Sequence, residues 1–96
     1  PGANMADHVA VFEATHGTAP KYAGQDKVNP SSLLFSGVMM FDYIGWPEVG
    51  RLIERAFEKV VVGGTVTYDF ARQRDDATEV PTSGFADALV EAIRND

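Results

Sequence analysis

The sequence contains no cysteine, which excludes disulfide bonds, thiolate metal sites and cysteine nucleophiles. It also lacks any run close to the roughly 20 apolar residues that a membrane-spanning helix needs. Apolar clusters such as SLLFSGVMMF are short and interrupted. We therefore expect no membrane partner, and the absence of cysteine fits the cytoplasmic location that we expect.

Basic residues are scarce, with 8 Lys and Arg against 14 Asp and Glu and a formal net charge of −6. Nucleic-acid binding depends largely on neutralising phosphates with basic side chains, so we expect no nucleic-acid partner. A small anion depends on local charge, which this composition still permits. Lys21 and Lys27 lie in one polar stretch, and Arg72 and Arg74 form a second basic spot.

Familiar catalytic and nucleotide-binding patterns are missing too. No G-x-S-x-G frames a serine, and His8 and His16 do not form an H-E-x-x-H metal motif. Neither the P-loop pattern nor the dinucleotide fingerprint G-x-G-x-x-G occurs. We predict neither a catalytic residue nor a metal ligand within these 96 residues.

The residues that are present predict a mixed α/β fold. Ninety-six residues make one domain at most, and the start PGANMAD, without an initial methionine, leads us to expect a single partial domain over residues 1–96. Val and Phe at both alternating sets of positions in 8–14 indicate a buried strand. The other predicted elements are a deeply packed helix over 31–43, an amphipathic helix over 47–62, a strand over 65–70 and a last helix from Thr82 or Ser83.

Several residues predict where these elements begin and end. Ser31 and Ser32 offer N-cap oxygens, and Gly45 suits the end of the first helix. Pro47 suits the first turn of the next helix, because the missing N–H costs nothing there. Asp69 can cap a brief helical turn through Arg72.

The stretch HGTAPKYAGQDKVNP, residues 16–30, is too polar and too rich in Gly and Pro for a core. It could be a plain connector or a loop shaped around an anion, since small residues leave backbone N–H groups accessible to a ligand. The composition alone leaves both interpretations open. His16, Gly17, Thr18 and Ala19 followed by Pro20 fit the second.

A second segment could complete an anion site. Tyr68 and Arg72 are four residues apart, so a helical turn would direct both toward one place. Together with Lys21 and Tyr22 they would offer two cations and two phenols, which suits a phosphate monoester. The alternative is that Arg72 pairs with a nearby aspartate, Asp69 or Asp75, on the surface.

These same residues carry a resemblance. FEATHGTAPKYAGQDKVNP and TVTYDFAR, together with PGAN and GWPE, resemble the C-terminal portion of bacterial NADP-dependent isocitrate dehydrogenases, in the isocitrate/isopropylmalate dehydrogenase family. The resemblance extends over essentially the whole chain. It implies that family's α/β fold, as part of the large domain, and not a Rossmann fold.

The resemblance also implies a cofactor and its site. In the family, the loop matching His16 through Tyr22 surrounds the adenosine end of the cofactor, and the position of Asn29 contacts the adenine. Positions matching Lys21, Tyr22, Tyr68 and Arg72 hold the 2′-phosphate. NAD-using relatives typically have an aspartate and an aliphatic residue in place of Lys21 and Tyr22, so the resemblance implies NADP. The implied cofactor-binding residues are His16, Gly17, Thr18, Ala19, Pro20, Lys21, Tyr22, Asn29, Tyr68 and Arg72.

The family's isocitrate-binding, catalytic and metal-binding residues precede the part that this chain matches. The resemblance implies oxidation of isocitrate to 2-oxoglutarate and carbon dioxide with NADP and Mg²⁺ or Mn²⁺, by a full-length homo-oligomeric enzyme, with isocitrate bound only there. We expect this chain alone to be catalytically inactive. The alternative is a self-associating chain with a structural role and no ligand.

Overall fold

The structure is a computed structural model that describes residues 1–14 and 20–96. Helices and short strands are interspersed along the chain, so the predicted α/β class is confirmed. The elements are β1 (Gly2–Met5), β2 (Ala10–Glu13), a 3-10 helix (Pro20–Tyr22), α1 (Ser31–Tyr43), α2 (Pro47–Val62), β3 (Thr65–Val66), α3 (Tyr68–Ala71), β4 (Thr78–Glu79) and α4 (Thr82–Arg94).

The first two strands form an antiparallel hairpin in which Gly2 lies opposite Glu13. The sequence did not predict β1. The predicted strand within 8–14 is confirmed as β2, but the prediction that it is buried was wrong. Val9 and Val11 are 62% and 55% exposed. The hairpin is covered on one side by α1, where the Phe12 ring lies 5.7 Å from that of Tyr43. Apolar residues on the other side remain exposed.

Helix α1 has the predicted bounds but different packing and a different cap. Pro30, and not Ser31 or Ser32, is the N-cap residue, and Asn29 just before it accepts a hydrogen bond from the backbone N–H of Ser31 at 2.9 Å. Leu33 is 63% exposed and Met40 38%, so the prediction of a deeply packed helix was wrong. The helix packs mainly against α2 and β2 and keeps an apolar face in solvent.

The predicted end of α1 at Gly45 is confirmed. Gly45 has φ +89°, and its N–H donates to the carbonyl of Asp42. The N–H of Trp46 donates to the carbonyl of Phe41 at 2.8 Å, and the two aromatic rings stack at 6.3 Å. These two bonds and the apolar contact form a Schellman motif, which satisfies the last carbonyls of the helix.

The core lies between α2 and α4. Pro47 begins α2 as predicted, and the apolar stripes of both helices face each other. Phe85 is 1% exposed and packs edge-on against Phe57, whose ring also contacts Phe35 at 4.8 Å. The buried residues of this cluster are Ala56, Val60, Phe85 and Leu89.

The segment between the core helices differs from its prediction in three ways. The strand over 65–70 is shorter, because the chain turns helical at Tyr68. Thr67, and not Asp69, is the N-cap of α3, and Asp69 lies in its first turn. β4, which the polar sequence of 73–81 did not indicate, pairs in parallel with β3 so that Thr65 lies opposite Thr78.

Candidate functional site

Two phenol rings from distant parts of the chain meet at one surface. Tyr22 ends the 3-10 helix and Tyr68 begins α3, and their ring centroids lie 5.5 Å apart. Three cationic side chains surround this pair. We call the five residues the tyrosine–cation cluster: Lys21, Tyr22, Lys27, Tyr68 and Arg72.

Each cation lies over an aromatic ring. The Nζ atom of Lys21 is 5.5 Å from the Tyr22 centroid, and the guanidinium carbon of Arg72 is 5.2 Å from that of Tyr68. Lys27 contacts both rings, at 5.3 Å from Tyr22 and 5.0 Å from Tyr68. All four distances fall within the range of cation–π attraction, so the rings hold the cations near one another despite their mutual repulsion.

The two phenols are also linked to each other, and their acidities diverge. The hydrogen bond from Tyr68, followed by the positive charge of Lys21, lowers the pKa of Tyr22 below its ordinary value. The same hydrogen bond, followed by burial, raises the pKa of Tyr68. Phenol and ammonium donors would face any anion placed on this surface.

The loop that carries Lys27 is fastened to the start of α4. Asp26 has φ +53°, and its carboxylate accepts hydrogen bonds from the backbone N–H and the hydroxyl of Ser83. The Asp26 carbonyl accepts from the N–H of Thr82 at 2.9 Å, and the Thr82 hydroxyl donates to the carbonyl of Val28. Both neighbours of Lys27 are thus bonded to one helix terminus, which also satisfies donors that α4 leaves unpaired.

A second link joins the loop to the turn that carries Tyr68. The Asn29 amide donates to Asp69 at 2.9 Å, and the Thr67 hydroxyl donates to the other Asp69 oxygen at 2.6 Å. Burial raises the pKa of Asp69, but hydrogen bonds from Thr67, Asn29 and the backbone N–H groups of Asp69 and Phe70 outweigh it and lower the pKa overall. The ionised carboxylate therefore fixes the loop that carries Lys27 relative to the turn that carries Tyr68.

A cleft of about 240 Å³ borders the cluster. Lys27 and Tyr68 belong to both, so one phenol and one cation of the cluster face a concave surface. The other residues lining the cleft are Gln25, Asp26, Glu79, Val80 and Pro81.

The structure brings together four of the residues that the sequence singled out, namely Lys21, Tyr22, Tyr68 and Arg72. The alternative that Arg72 pairs with an aspartate is not seen: within residues 1–14 and 20–96 it forms no ion pair. Asn29 lies beside the cluster, bonded to Asp69, and its expected contact with adenine stays a prediction.

The remaining predicted residues belong to the loop before Lys21. Pro20 begins the 3-10 helix. His16, Gly17, Thr18 and Ala19 lie outside the described residues.

The sequence reasoning noted Lys27 as a basic loop residue but did not assign it to the site. No spacing rule relates position 27 to position 68, because their proximity arises from the bonds between the loop and α4. The available signal was the second lysine in a loop that already held Lys21 and Tyr22.

Neither a metal cluster nor a membrane-spanning helix is present in residues 1–14 and 20–96. No group of three or more His, Asp or Glu side chains in this part of the chain is placed to hold a metal ion. None of its helices combines the length and the apolar character needed to cross a bilayer.

Comparison with known proteins gives consistent similarities along the chain. The NADP isocitrate dehydrogenase of Coxiella burnetii is 56% identical over 93 residues, which cover 97% of this chain and 22% of the relative. That of Helicobacter pylori is 56% identical over 91 residues, covering 95% and 21%. The corresponding protein of Haloferax volcanii is 48% identical over 94 residues, covering 98% and 22%.

A solved structure agrees with these relatives. The crystal structure of isocitrate dehydrogenase from Methylococcus capsulatus superposes with a TM-score of 0.85 at 40% identity, covering 96% of this chain and 26% of that one. The chain thus spans about a fifth to a quarter of the length of the proteins that it matches. Because the isocitrate/isopropylmalate dehydrogenase model matches residues 1–89, the chain belongs to that family.

Proposed function

We propose that this chain supplies the adenosine 2′-phosphate side of the NADP site of an isocitrate dehydrogenase. The observation that carries the proposal is the tyrosine–cation cluster, where three cations surround two phenol rings that lie 5.5 Å apart. A 2′-phosphate monoester is a dianion with three acceptor oxygens, so it suits this set of donors. The described residues therefore fit the part of the cofactor that the family leads us to expect.

The same cluster favours NADP over NAD. NAD ends in a neutral ribose hydroxyl at this position, which would gain little from Lys21, Lys27 and Arg72. The names of the relatives, which state NADP, agree with this preference. In the family, Asn29 and the loop from His16 to Pro20 would complete the adenosine side of the site.

The reaction belongs to a longer protein in this proposal. The relatives are isocitrate dehydrogenases of about four to five times this length. NADP supplies the hydride acceptor in that reaction, and Mg²⁺ or Mn²⁺ would be held by residues that this chain does not contribute. The chain is a single partial domain here, inactive alone, and it works in the cytoplasm with isocitrate bound by the remainder of the enzyme.

We also propose that this chain assembles with other copies of itself or with other segments of the enzyme. The chain exposes 6255 Å², whereas a compact monomer of its mass exposes about 5400 Å². The excess includes apolar side chains of the hairpin and of the end of α1, which a homo-oligomeric enzyme would bury. The large exposed apolar residues are Met5, Val9, Val11, Leu33, Met40, Tyr43, Ile44, Trp46, Val62 and Val90.

Titration calorimetry of the chain with NADP and NAD tests the cofactor assignment. We expect tighter binding of NADP, and we expect Lys21→Ala and Arg72→Ala each to reduce NADP affinity by roughly 10- to 100-fold, as for a lost charge-assisted contact. NAD affinity should change much less, because NAD lacks the dianion.

Lys59→Ala is the matched control, because Lys59 pairs with Asp96 away from the cluster. It removes one positive charge and should leave the preference intact. Equal affinity of the unmutated chain for both dinucleotides would contradict the assignment. A structural role without a ligand would then be favoured.

A further inference from the structure

We propose that Lys27 is a further specificity-determining residue at the 2′-phosphate subsite: a cation held between two phenol rings by a loop that α4 fixes in place. The inference rests on the proposed function, because it names an additional residue for the same phosphate. It goes beyond that function because it assigns part of the preference for a 2′-phosphate to a side chain outside the expected set of Lys21, Tyr22, Tyr68 and Arg72.

The position of the ammonium group carries the argument. Lys27 is the one described cation that lies over both rings of the cluster, at 5.3 and 5.0 Å from the two centroids. Lys21 lies over Tyr22 alone and Arg72 over Tyr68 alone. Lys27 is therefore the cation that contacts both halves of the cluster. An anion bound beside the two rings would lie close to its ammonium group.

The backbone around Lys27 is restrained before any ligand arrives. Of its two neighbours, Asp26 accepts hydrogen bonds from Thr82 and Ser83 at the start of α4, and Val28 accepts one from Thr82. Lys27 is half-buried, whereas Lys21 and Arg72 are exposed. A long side chain that is already ordered loses less conformational entropy on binding, so its charge contributes more of its attraction to affinity.

The charge of Lys27 is also available. Within residues 1–14 and 20–96, its ammonium group forms no ion pair. The nearest acidic neighbour in sequence, Asp26, directs its carboxylate at Ser83. Lys27 also lines the cleft of about 240 Å³ beside the cluster, so a ligand can reach it. The cation is held by rings, which attract it without neutralising it.

The test measures how strongly the full chain prefers adenosine 2′,5′-bisphosphate to adenosine 5′-monophosphate, by calorimetry at low salt. These probes differ only in the 2′-phosphate. We expect Lys27→Met and Lys27→Gln each to reduce the preference by roughly 3- to 10-fold. Lys27→Arg should keep it within about twofold, and the loss caused by Lys27→Met should shrink at high salt, because ions screen the charge.

Lys59→Met serves as the matched control, since it removes a lysine charge from α2 far from the loop. A folded Lys27→Met protein, checked by circular dichroism, with an unchanged preference would overturn the inference and leave the proposed function standing. An unmutated chain without any preference would overturn both.

A measurement on the unmutated chain covers the case in which the variants do not fold. We expect the bisphosphate to shift the NMR signals of the Lys27 εCH₂ group, and the monophosphate to leave them nearly unchanged. Equal or absent shifts would overturn the inference, even with tight binding of the bisphosphate.

Discussion

At the residue scale, the two halves of the candidate site are joined by very few side chains. Asn29 uses its oxygen to bond Ser31 at the start of α1 and its nitrogen to hold Asp69, which in turn accepts from Thr67. A single amide thus connects the loop, the first helix and the turn that carries Tyr68. The geometry of the tyrosine–cation cluster depends on this connection as well as on the cluster's own contacts.

Asp69 makes the stability of the chain depend on pH. Its pKa is lower in the folded chain than its ordinary value, so its contribution is complete above that ordinary value of about 3.9. The contribution is lost as the pH falls through the lowered pKa. We expect Asp69→Asn to reduce the free energy of unfolding by roughly 1–2 kcal/mol near pH 7, because an amide cannot accept from both partners.

Urea denaturation of both proteins at several pH values checks this expectation. The difference between them should shrink below about pH 4 and vanish as the carboxyl group becomes protonated. Asp75→Asn, at an exposed loop position, is the control and should change little. A difference that stayed constant down to pH 3 would show that the carboxylate charge is not involved.

Sequence reasoning at this scale succeeds where the contacts are local. The four-residue spacing of Tyr68 and Arg72 predicts their proximity, because Tyr68 begins the single helical turn of α3 and Arg72 directly follows it. It fails for Lys27, whose contact with Tyr68 spans 41 positions and arises from tertiary hydrogen bonds. Asn29 was expected near a ligand, and its bond to Ser31 at the start of α1 was not predicted.

At the scale of elements, glycine and proline gave the most reliable predictions. Pro47 and Gly45 mark the helix boundaries that the sequence indicated, because each restricts or permits a particular backbone angle. The strands were predicted less well. β1 and β4 have few β-branched residues, and β4 forms from a polar stretch because its backbone pairs with β3.

Replacing Gly37 and Gly45 by alanine should change the stability of the chain in opposite directions. Gly45 has φ +89°, which costs an alanine about 1 kcal/mol, so Gly45→Ala should destabilise the chain by that amount. Gly37 lies inside α1, and an added Cβ would meet nothing within 4 Å. Gly37→Ala should therefore stabilise by about 0.5–1 kcal/mol, because it removes a helix-weakening residue.

Thermal denaturation of the pair provides the measurement, and each variant is the control for the other. A rise in Tm for Gly37→Ala together with a fall for Gly45→Ala is the expected result. Two falls of equal size would mean that α1 does not tolerate any added methyl group, contrary to the open space at position 37.

At the scale of the whole molecule, the chain is more extended than its length requires. Its radius of gyration is 14.4 Å, whereas a compact domain of this length has about 12.5 Å. The buried cluster is small and lies almost entirely between α2 and α4. Stability therefore depends on few residues, and none of the buried hydrophobic residues lies in the β1–β2 hairpin.

Phe85 should be the residue on which folding depends most. It is 1% exposed at the centre of the core, and Phe85→Ala should cost about 3–5 kcal/mol through lost burial and a cavity. That loss is comparable to the whole stability of a marginal small domain. Val90→Ala, on the exposed side of the same helix, should change stability by less than about 0.5 kcal/mol.

Urea denaturation followed by circular dichroism checks both variants. We expect Phe85→Ala to be largely unfolded without denaturant. A Phe85→Ala chain as stable as the Val90→Ala chain would place the core elsewhere.

The bonds from Asp26 and Val28 to Thr82 and Ser83 have a consequence for how such chains diverge. α4 presents its inner side to the core and its first residues to the loop that carries Lys27. A substitution beneath that helix, well away from any nucleotide, can tilt its first turn and carry the loop with it. Under the proposed function, cofactor preference is thereby open to adjustment by mutations that never contact the cofactor.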